Sequence, residues 1–358
     1  GDEVCRKGIM SENAQNAGQP AAGAPGESGV AMPLSQARAE LRTAALALAA
    51  TQQAPFFPPI VYIEPTNACN CNCVICPRRN MTREVGFMPM DLFRQIVGEI
   101  SELGPSEIRL FNFGEPLLHP RLCEMVDYCR EKSLPAIFQT NGLLLTERYI
   151  HDLLATGLDY IGVSVNGLNA QEYETIRPGY SFDTIRANLQ RLRRMATGAG
   201  RPLHIHINAQ ILKEDKEGRM PEIREYVKSW DGVADSLSVS GLSVFDKIAF
   251  VNRGTVRESD LAQLPRKPDA KIKCTEPFDR LIIKWDGRVT VCCADFDAKM
   301  VIGHADRQRI ADLWNSRALN LLRNEIREGR YGGIPLCRTC PKFYSDEFTL
   351  LFKKSKQQ

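Results

Sequence analysis

Three cysteines that follow the first β-rich segment have a spacing that suits an iron–sulfur cluster. Cys69, Cys73 and Cys76 stand as C-x3-C-x2-C directly after residues 60–66. Three thiolates on one tight loop can hold three corners of a four-iron cubane and leave the fourth iron open to a small molecule. Structural zinc takes four ligands, usually as two C-x2-C pairs, and Cys71 lies inside the loop with the wrong spacing to be the fourth. The spacing therefore favours a catalytic iron–sulfur cluster over zinc.

A second set of cysteines lies in the last quarter of the chain. Cys274 and Cys292 frame the pattern C-x12-G-x4-C around Gly287, and Cys337 and Cys340 follow as C-x2-C. Four thiolates can ligate every iron of one four-iron cluster, so no iron is left for a substrate and the expected role is electronic. A four-cysteine zinc site is the alternative that the spacing alone leaves open.

Two residues beside the second set are candidates for catalysis. Cys293 directly follows Cys292, and adjacent side chains of a strand point to opposite faces, so the two do not easily ligate one cluster. Cys293 is then either a packed small hydrophobe or a hydrogen-atom donor to a substrate radical. Asp295 is either a base in the pocket or an exposed aspartate of a turn.

The composition is that of an ordinary globular protein, because 43% of the 358 residues are hydrophobic and 25% are charged. The net charge of +3 is too small to indicate nucleic acid or an acidic membrane as a partner. No apolar run reaches transmembrane length and no secretory signal is recognisable, so we expect a cytoplasmic protein. Twelve cysteines in a reducing compartment are expected to bind metal rather than to form a disulfide scaffold.

Apolar, β-rich segments alternate with segments of helical period from residue 60 onward. Helical periodicity is clearest at 91–103, 146–157 and 183–195. Six such βα units with right-handed crossovers predict an α/β fold, a partial (β/α)6 barrel, with its chemistry at the carboxyl ends of the strands. The β-rich segments span residues 60–66, 107–113, 135–141, 160–166, 203–212 and 235–242.

Two histidines alternate along the fifth β-rich segment, at His204 and His206. We expect core histidines whose hydrogen bonds are satisfied within the fold. The alternative is a ring that faces the pocket.

The pattern changes on either side of the barrel segment. Residues 11–35 are rich in Ala, Gly, Pro, Gln and Ser, which predicts a mobile tail, and a helix is expected to follow. After residue 250 the alternation stops, residues 278–293 predict a hairpin with Asp286–Gly287 as its turn, and 309–330 predict a helix. We divide the chain into a flexible tail and helix at 1–54, the barrel at 55–250 and a cysteine-bearing module at 251–358.

The loop of Cys69, Cys73 and Cys76 resembles that of the radical S-adenosylmethionine (radical SAM) enzymes, and the resemblance covers most of the chain. In this family the cysteines bind a [4Fe-4S] cluster whose open iron chelates the amino and carboxylate groups of S-adenosylmethionine (SAM). An electron from the cluster, supplied by an external reductant such as flavodoxin or ferredoxin, cleaves the sulfonium bond and yields a 5′-deoxyadenosyl radical that abstracts hydrogen. The family often has an aromatic residue near the adenine where this chain has Ile75.

Two further segments resemble cofactor-binding motifs of the same family. FNFGEPLLHP is similar to the GGEP-type element, which implies that Glu115 binds the SAM ammonium group while Gly114 lets the backbone approach. VSVNGLNAQEYETIRPG is similar to the segment after strand four, which implies that Ser164 reaches the ribose hydroxyls and Arg177 the carboxylate. Weaker candidates for this pocket are Asn141, Gln210 and Asn166, which replaces the usual aspartate.

The second cysteine set resembles the auxiliary-cluster modules called SPASM and twitch, whose opening is C-x9–15-G-x4-C. No further cysteine follows Cys340, so the match is to the shorter twitch form with one auxiliary [4Fe-4S] cluster. The resemblance therefore implies two clusters in all, one catalytic and one auxiliary.

The whole arrangement resembles twitch-type dehydrogenases that act on an aminocyclitol in the biosynthesis of aminoglycoside antibiotics. This implies a small-molecule substrate, a sugar or aminocyclitol, whose secondary hydroxyl is oxidised to a ketone while the auxiliary cluster takes an electron. Arg253 or Arg257 is the candidate to orient or deprotonate that hydroxyl. The alternatives are an epimerase with Cys293 as hydrogen donor, a dehydratase, a peptide-modifying enzyme, for which no leader-binding domain is recognisable, and a non-catalytic iron–sulfur or zinc scaffold.

Overall fold

The described strands of the chain form one sheet. The computed structural model describes residues 40, 43–44, 47–48, 51–211, 218–241, 274–338, 340 and 349–353. Within these residues the strands pair in the order β10-β6-β5-β4-β3-β2-β1-β7-β8-β9. Their bounds are β1 Ile60–Ile63, β2 Glu107–Arg109, β3 Ala136–Thr140, β4 Tyr160–Ser164, β5 His204–Ile211, β6 Ser236–Gly241, β7 Arg280–Ile283, β8 Arg288–Thr290, β9 Gly303–His304 and β10 Thr349–Lys353.

Strands β1 to β6 are parallel and adjacent in sequence order, as a partial (β/α)6 barrel requires. Alternate strand residues such as Val61, Phe138 and Ile205 pack with the connecting helices in one apolar core. The other residues of each strand line the opposite face, which is called the inner face below. The helices are α1 Met90–Leu103, α2 Leu122–Glu131, α3 Glu147–Ala155, α4 Ala170–Ile176, α5 Phe182–Gly198 and α6 Met220–Lys228.

The C-terminal region extends the barrel sheet at both edges. Strand β7 pairs parallel with β1 from Ile60↔Arg280 to Ile63↔Ile283, and β8 and β9 continue the sheet in antiparallel pairing. At the other edge, β10 pairs antiparallel with β6. The sheet therefore crosses the division at residue 250, and the bounds of the three regions stay a prediction. The remaining helices are α7 Glu276–Asp279, α8 Ile310–Trp314, α9 Arg317–Arg327 and α10 Pro335–Arg338.

Two predicted strands and one predicted helix differ from the structure, and the predicted hairpin turn is confirmed. The first two strands end at Ile63 and Arg109, earlier than predicted, because the following residues turn into the loops that carry the site. The single helix predicted over 309–330 is two helices, because the hydroxyl of Ser316 accepts a hydrogen bond from the Leu319 amide and begins α9. The hairpin turn at Asp286–Gly287 is confirmed: Gly287 N–H bonds to the Lys284 carbonyl between β7 and β8.

None of the helices among the described residues is both long and apolar enough to span a bilayer.

Candidate active site

The three-cysteine loop follows β1 and is tied to the barrel by its backbone. The Val74 amide donates to the carbonyl oxygen of Ile176, at the end of α4, over 2.9 Å. Cys69, Cys73 and Cys76 are all partly buried. The loop is therefore folded against the carboxyl end of the sheet, where parallel strands place their chemistry.

Cys71, to which sequence reasoning gave no role, lies between two of the predicted ligands. Its buried thiol is hydrogen-bonded to the thiols of Cys69 and Cys73. These two hydrogen bonds are the main reason why the pKa of Cys69 and the pKa of Cys73 fall to about 6. Arg177 also lowers the pKa of Cys73, whereas burial raises the pKa of Cys76 to about 12. The loop gathers its thiols in a way that spacing alone does not indicate.

Gly114 packs the end of β2 directly on the base of the cysteine loop. It has φ +102°, and a Cβ at this position would overlap the Thr66 carbonyl oxygen and lie 2.7 Å from the Asn67 Cα. The next amide, that of Glu115, donates to the carbonyl oxygen of Ala68 over 2.7 Å. The glycine allows a close backbone approach, as predicted, and the neighbour that it approaches here is the cysteine loop.

The Glu115 carboxylate is 1% exposed and joins three segments. Its Oε1 accepts from the Leu117 amide over 3.0 Å and from the Thr140 hydroxyl over 2.6 Å, and its Oε2 accepts from the Asn141 amide over 2.7 Å. Desolvation raises its pKa to about 7, against the effect of these donors. A carboxylate has about four acceptor sites, so Oε2 keeps capacity for one further donor, such as an ammonium group.

Arg177 is 3% exposed and lies beside the cysteine loop. Its Nη1 donates to the Asn141 carbonyl oxygen over 3.2 Å and to the Tyr173 hydroxyl over 3.4 Å. Its buried Nε has no hydrogen-bond partner among the described residues. An orphaned guanidinium N–H calls for an acceptor, and a carboxylate is the natural one, so this residue fits the carboxylate of SAM.

Asn141 and Ile75 connect the remaining predicted pocket to the cysteine loop. Asn141 Nδ2 donates to the Asn70 side-chain oxygen over 2.7 Å. Ile75 is buried in a small cluster with Val74 and Ile176, so it packs between the loop and the end of α4, and its contact with the adenine stays a prediction.

The candidates on β4 and β5 lie at the carboxyl ends of those strands. The Ser164 hydroxyl accepts from Gln139 Nε2 over 2.7 Å. Asn166 is buried two residues further on. The Gln210 carbonyl oxygen accepts from the Gly167 amide over 2.8 Å. Their contacts with a cofactor stay a prediction.

The second cysteine set surrounds a small apolar cluster. Cys274, Cys337 and Cys340 pack on Phe278, Ile326, Tyr331 and Ile334. Cys274 is an electrostatic neighbour of both Cys292 and Cys337, and Cys340 is one of Cys337. Burial raises the pKa of Cys337 to about 12 and that of Cys292 well above its usual range. The four thiols predicted to share a cluster are therefore brought together.

The thiols of this set do not converge on one point: among the described residues, no three His, Cys, Asp or Glu side chains are placed to hold a single metal ion. A [4Fe-4S] cluster carries four irons of its own, so each thiolate ligates a different iron and the sulfurs stay apart.

The two catalytic candidates beside Cys292 have different surroundings. Cys293 is exposed, and its amide donates to Glu276 Oε2 over 3.3 Å. Asp295 is 1% exposed, and its two carboxylate oxygens accept from the amides of Lys299 and Met300 over 2.8 and 2.9 Å. The alternative of an exposed turn aspartate is wrong, because the Asp295 side chain is buried and binds the backbone amides of the turn that follows it. Arg253 and Arg257 lie outside the described residues.

A buried ion network that sequence reasoning missed joins the two cysteine regions. Arg83 makes two hydrogen bonds of 2.9 and 3.0 Å to Glu64, at the end of β1, and a third of 2.7 Å to the Phe296 carbonyl oxygen. Lys284 Nζ, also buried, donates to the Asn112 side-chain oxygen over 2.6 Å and to the backbone carbonyl oxygen of Asp295 over 2.8 Å. The only signal in the sequence was a glutamate directly after an apolar strand.

Two family models match the chain. One is described as the radical SAM superfamily and matches residues 63–226, and the other, SPASM, is described as an iron–sulfur cluster-binding domain and matches residues 274–341. The chain carries a radical SAM domain and a SPASM domain. Its cofactors are accordingly SAM and iron–sulfur clusters, one catalytic and one auxiliary, which confirms the iron–sulfur interpretation of both cysteine sets.

Similar proteins extend over most of this radical SAM chain. It is 23% identical over 286 residues to the S-adenosyl-L-methionine-dependent 2-deoxy-scyllo-inosamine dehydrogenase of Niallia circulans, covering 78% of this chain and 92% of that protein. It is 26% identical over 319 residues to the tungsten-containing aldehyde ferredoxin oxidoreductase cofactor-modifying protein of Pyrococcus furiosus, covering 78% and 86%.

Solved structures show the same fold at low identity. BtrN in complex with AdoMet and 2-DOIA is 21% identical with a TM-score of 0.54, covering 80% of this chain and 94% of that one. Streptococcus suis SuiB bound to S-adenosylmethionine is 15% identical with a TM-score of 0.58, covering 86% and 80%. These likenesses confirm the predicted α/β partial barrel with a C-terminal cysteine module.

Replacing Gly114 by alanine should destabilise the fold by roughly 3–5 kcal/mol, because the added Cβ overlaps the backbone beneath the cysteine loop. Gly179→Ala is the matched control: Gly179 has φ +90°, and a Cβ added there would meet no atom within 4 Å, so only the backbone strain of about 1–2 kcal/mol applies. Chemical denaturation of both variants measures the difference. Equal losses would mean that the contact with the loop is unimportant.

Arg177→Gln should weaken SAM binding by about 10- to 100-fold, because a charge-assisted hydrogen bond contributes roughly 1.5–3 kcal/mol. Isothermal titration calorimetry of the anaerobically reconstituted protein gives the dissociation constant. The exposed Arg194, on α5, supplies the control variant Arg194→Gln, which should bind SAM as the wild type does. An unchanged affinity in Arg177→Gln would show that its unpaired Nε serves another group.

The raised pKa of Glu115 makes the stability of the cofactor-free chain depend on pH. Between the usual 4.5 and about 7, the folded chain keeps a proton here that the unfolded chain has released, so the free energy of unfolding falls as the pH rises through this window. The fall should be on the order of 3 kcal/mol. Glu115→Gln should remove this part of the slope in denaturation curves from pH 4.5 to 8, and the exposed Glu131→Gln should not.

Proposed function

We propose that the chain is a radical SAM dehydrogenase that oxidises a secondary hydroxyl of an aminocyclitol or a related sugar to a ketone. The observation that carries the proposal is the pairing of β7 with β1, because it joins the region that carries the second cysteine set to the strand that precedes the three-cysteine loop. The similarity to 2-deoxy-scyllo-inosamine dehydrogenase along 92% of that protein supports the substrate class.

The residues around the three-cysteine loop bind and orient SAM, which when bound supplies a hydrogen-abstracting radical. Arg177 Nε, which has no hydrogen-bond partner among the described residues, would donate to its carboxylate, and Glu115 Oε2, which accepts from the Asn141 amide, would also accept from its ammonium group. Both side chains are buried, so these contacts form without competing water. Glu115 gains a cationic neighbour and is then held as the carboxylate.

Oxidation of an alcohol to a ketone removes one hydrogen atom, one proton and one electron from the substrate. The dehydrogenase therefore needs an electron acceptor besides the radical, and the four thiols of the second set suit a cluster with no iron open to substrate. In an epimerase or a dehydratase the substrate loses no net electron. A saturated auxiliary site therefore favours dehydrogenation.

We further propose that a cytoplasmic one-electron carrier such as flavodoxin or ferredoxin reduces the catalytic cluster. The exposed Arg79 and the half-exposed Arg78 follow the last cysteine of the loop and present positive charge beside it. Carriers of this kind are acidic, so opposite charges would guide their approach.

An epimerase is the second candidate, because Cys293 is exposed beside a proposed cluster ligand and a donor thiol must reach the substrate. Anaerobic turnover of 2-deoxy-scyllo-inosamine in deuterated water separates the two. If the chain is a dehydrogenase, mass spectrometry shows a product with two hydrogens fewer than the substrate, 5′-deoxyadenosine forms, and Cys293→Ala retains activity. An epimerase would instead give a product that has lost no hydrogens and carries one solvent deuterium on carbon, and this deuterium would be absent from the Cys293→Ala reaction.

Iron counting supplies the control for this experiment. Reconstitution with iron and sulfide should give about eight irons and no zinc, and replacing Cys69, Cys73 and Cys76 by alanine should leave about four and abolish SAM cleavage. Cys123→Ser, on α2, is the matched variant and should retain the full iron content. Zinc in the second site would remove the oxidative role proposed for it.

A further inference from the structure

The inner face of β3 to β6 carries polar residues in rows set by the strand register. Gly162 pairs with Gln139 on one side and with His206 on the other, and His206 pairs with Ser236. These four residues are called the middle row. The neighbouring pairs Ser164↔Asn208 and Asn208↔Ser238 lie one row closer to the carboxyl ends. Two residues of a strand span about 6.6 Å, so the middle row lies about one sugar ring away from the predicted cofactor contact at Ser164.

Hydroxyls and imidazoles bond to each other along this face. His206 Nδ1 lies 2.8 Å from the Ser236 hydroxyl and its Nε2 lies 3.0 Å from the Ser238 hydroxyl. His204 Nε2 also lies 2.8 Å from the Ser236 hydroxyl, and the ring of Tyr160 stacks on that of His204 at 5.1 Å. Both histidines are half-buried on the inner face, so the expectation of core histidines is wrong in its location.

Such a network suits ligand hydroxyls, since an imidazole and a serine hydroxyl can each act as a hydrogen-bond donor or as an acceptor. A neutral imidazole donates from one nitrogen and accepts at the other, and a serine hydroxyl can do both. A change of the His206 tautomer decides which of Ser236 and Ser238 donates to the ring and which accepts, so the hydroxyl that accepts from the ring keeps its own O–H for a ligand and the other keeps a lone pair. The charged side chains on the same face form ion pairs within the protein: Arg109 donates to Glu107 over 2.7 Å, and Arg280 donates to Asp279 over 2.6 Å.

Gly162 leaves a gap in the middle row. A Cβ there would meet its nearest atoms, Cβ and Cγ of Gln139, at 3.6 Å, which is ordinary van der Waals contact, and its backbone has no left-handed conformation. The fold therefore has room for a Cβ at this position. Glycine inside a strand often marks the close approach of a ligand.

We infer that the middle row and Ser238 form the substrate-recognition wall: the substrate is a small ring with neighbouring hydroxyls that lies over Gly162 and bonds to Gln139 and to the hydroxyls of Ser236 and Ser238, which His206 orients. The inference rests on the proposed function, which requires an alcohol substrate. Its own content is the location and the hydroxyl chemistry of the contacts.

The test is calorimetric titration of the reconstituted, SAM-bound protein with 2-deoxy-scyllo-inosamine and with cyclohexylamine, which keeps the ring and the amine but has no hydroxyl. The wild type should bind the aminocyclitol and not cyclohexylamine. Gly162→Val should weaken aminocyclitol binding at least tenfold by filling the gap. His206→Ala should weaken it by about tenfold, because the hydroxyls of Ser236 and Ser238 lose the ring that orients them toward the substrate. Both should retain wild-type affinity for SAM and wild-type SAM cleavage without substrate.

Matched variants isolate the wall from general effects. Gly198→Val, at the end of α5, adds the same side chain where a Cβ meets no atom within 4 Å, and His151→Ala removes an exposed histidine of α3. Neither should change aminocyclitol binding. Unchanged binding in Gly162→Val and His206→Ala, or equal binding of cyclohexylamine, would overturn the inference. Binding that behaves as expected without ketone formation would instead refute the dehydrogenase proposal alone.

Discussion

One buried carboxylate holds the cofactor end of the barrel together. Glu115 accepts from the turn that follows β2 and from two residues at the end of β3, while its amide donates to the base of the cysteine loop. Asn141 extends this arrangement to Asn70 and Arg177. Burial disfavours the charged form of this carboxylate, and each of its three donors favours that form. A cation that binds at the remaining acceptor site of Glu115 therefore acts on the same residue that holds the cysteine loop in place.

The second organising contact is the ion network between the two cysteine regions. Arg83 lies seven residues after Cys76 and bonds both to Glu64 and to the backbone that follows Cys293. Asp297 adds hydrogen bonds to Thr82 of 2.6 and 2.7 Å. Buried pairs of this kind contribute little net stability compared with apolar packing, but they fix geometry, since any displacement leaves a charge unpaired. A fixed separation of two redox sites is what electron transfer between them would need.

The sequence was most informative where reactive residues have a regular spacing or apolar residues have a regular period. Both cysteine sets, the GEP turn and the βα alternation were readable because spacing or apolar period marks them, and the fold they predicted is confirmed. Contacts between distant segments leave no such mark. The pairing of β7 with β1, the Arg83–Glu64 pair and the position of Cys71 between two thiols depend on three-dimensional proximity. The same holds for the cap formed by Asp295, for which the sequence left a pocket base and an exposed turn residue as alternatives. His204 and His206 alternate with Ile205 and Ile207, so the period of the strand already marks the histidines as lying on the face opposite the apolar core, and the expectation of core histidines did not use that signal.

The shared sheet also constrains how such a protein can be taken apart. Strand β1 has neighbours on both sides, β2 and β7, and β7 comes from a region more than two hundred residues later in the chain. A fragment that stopped before β7 would present the backbone amides and carbonyls of β1 as an open edge, a surface prone to pairing with other chains. Recombining this barrel with the cysteine module of a relative thus means replacing a strand inside a sheet, and the exchange has to preserve register as well as ligands.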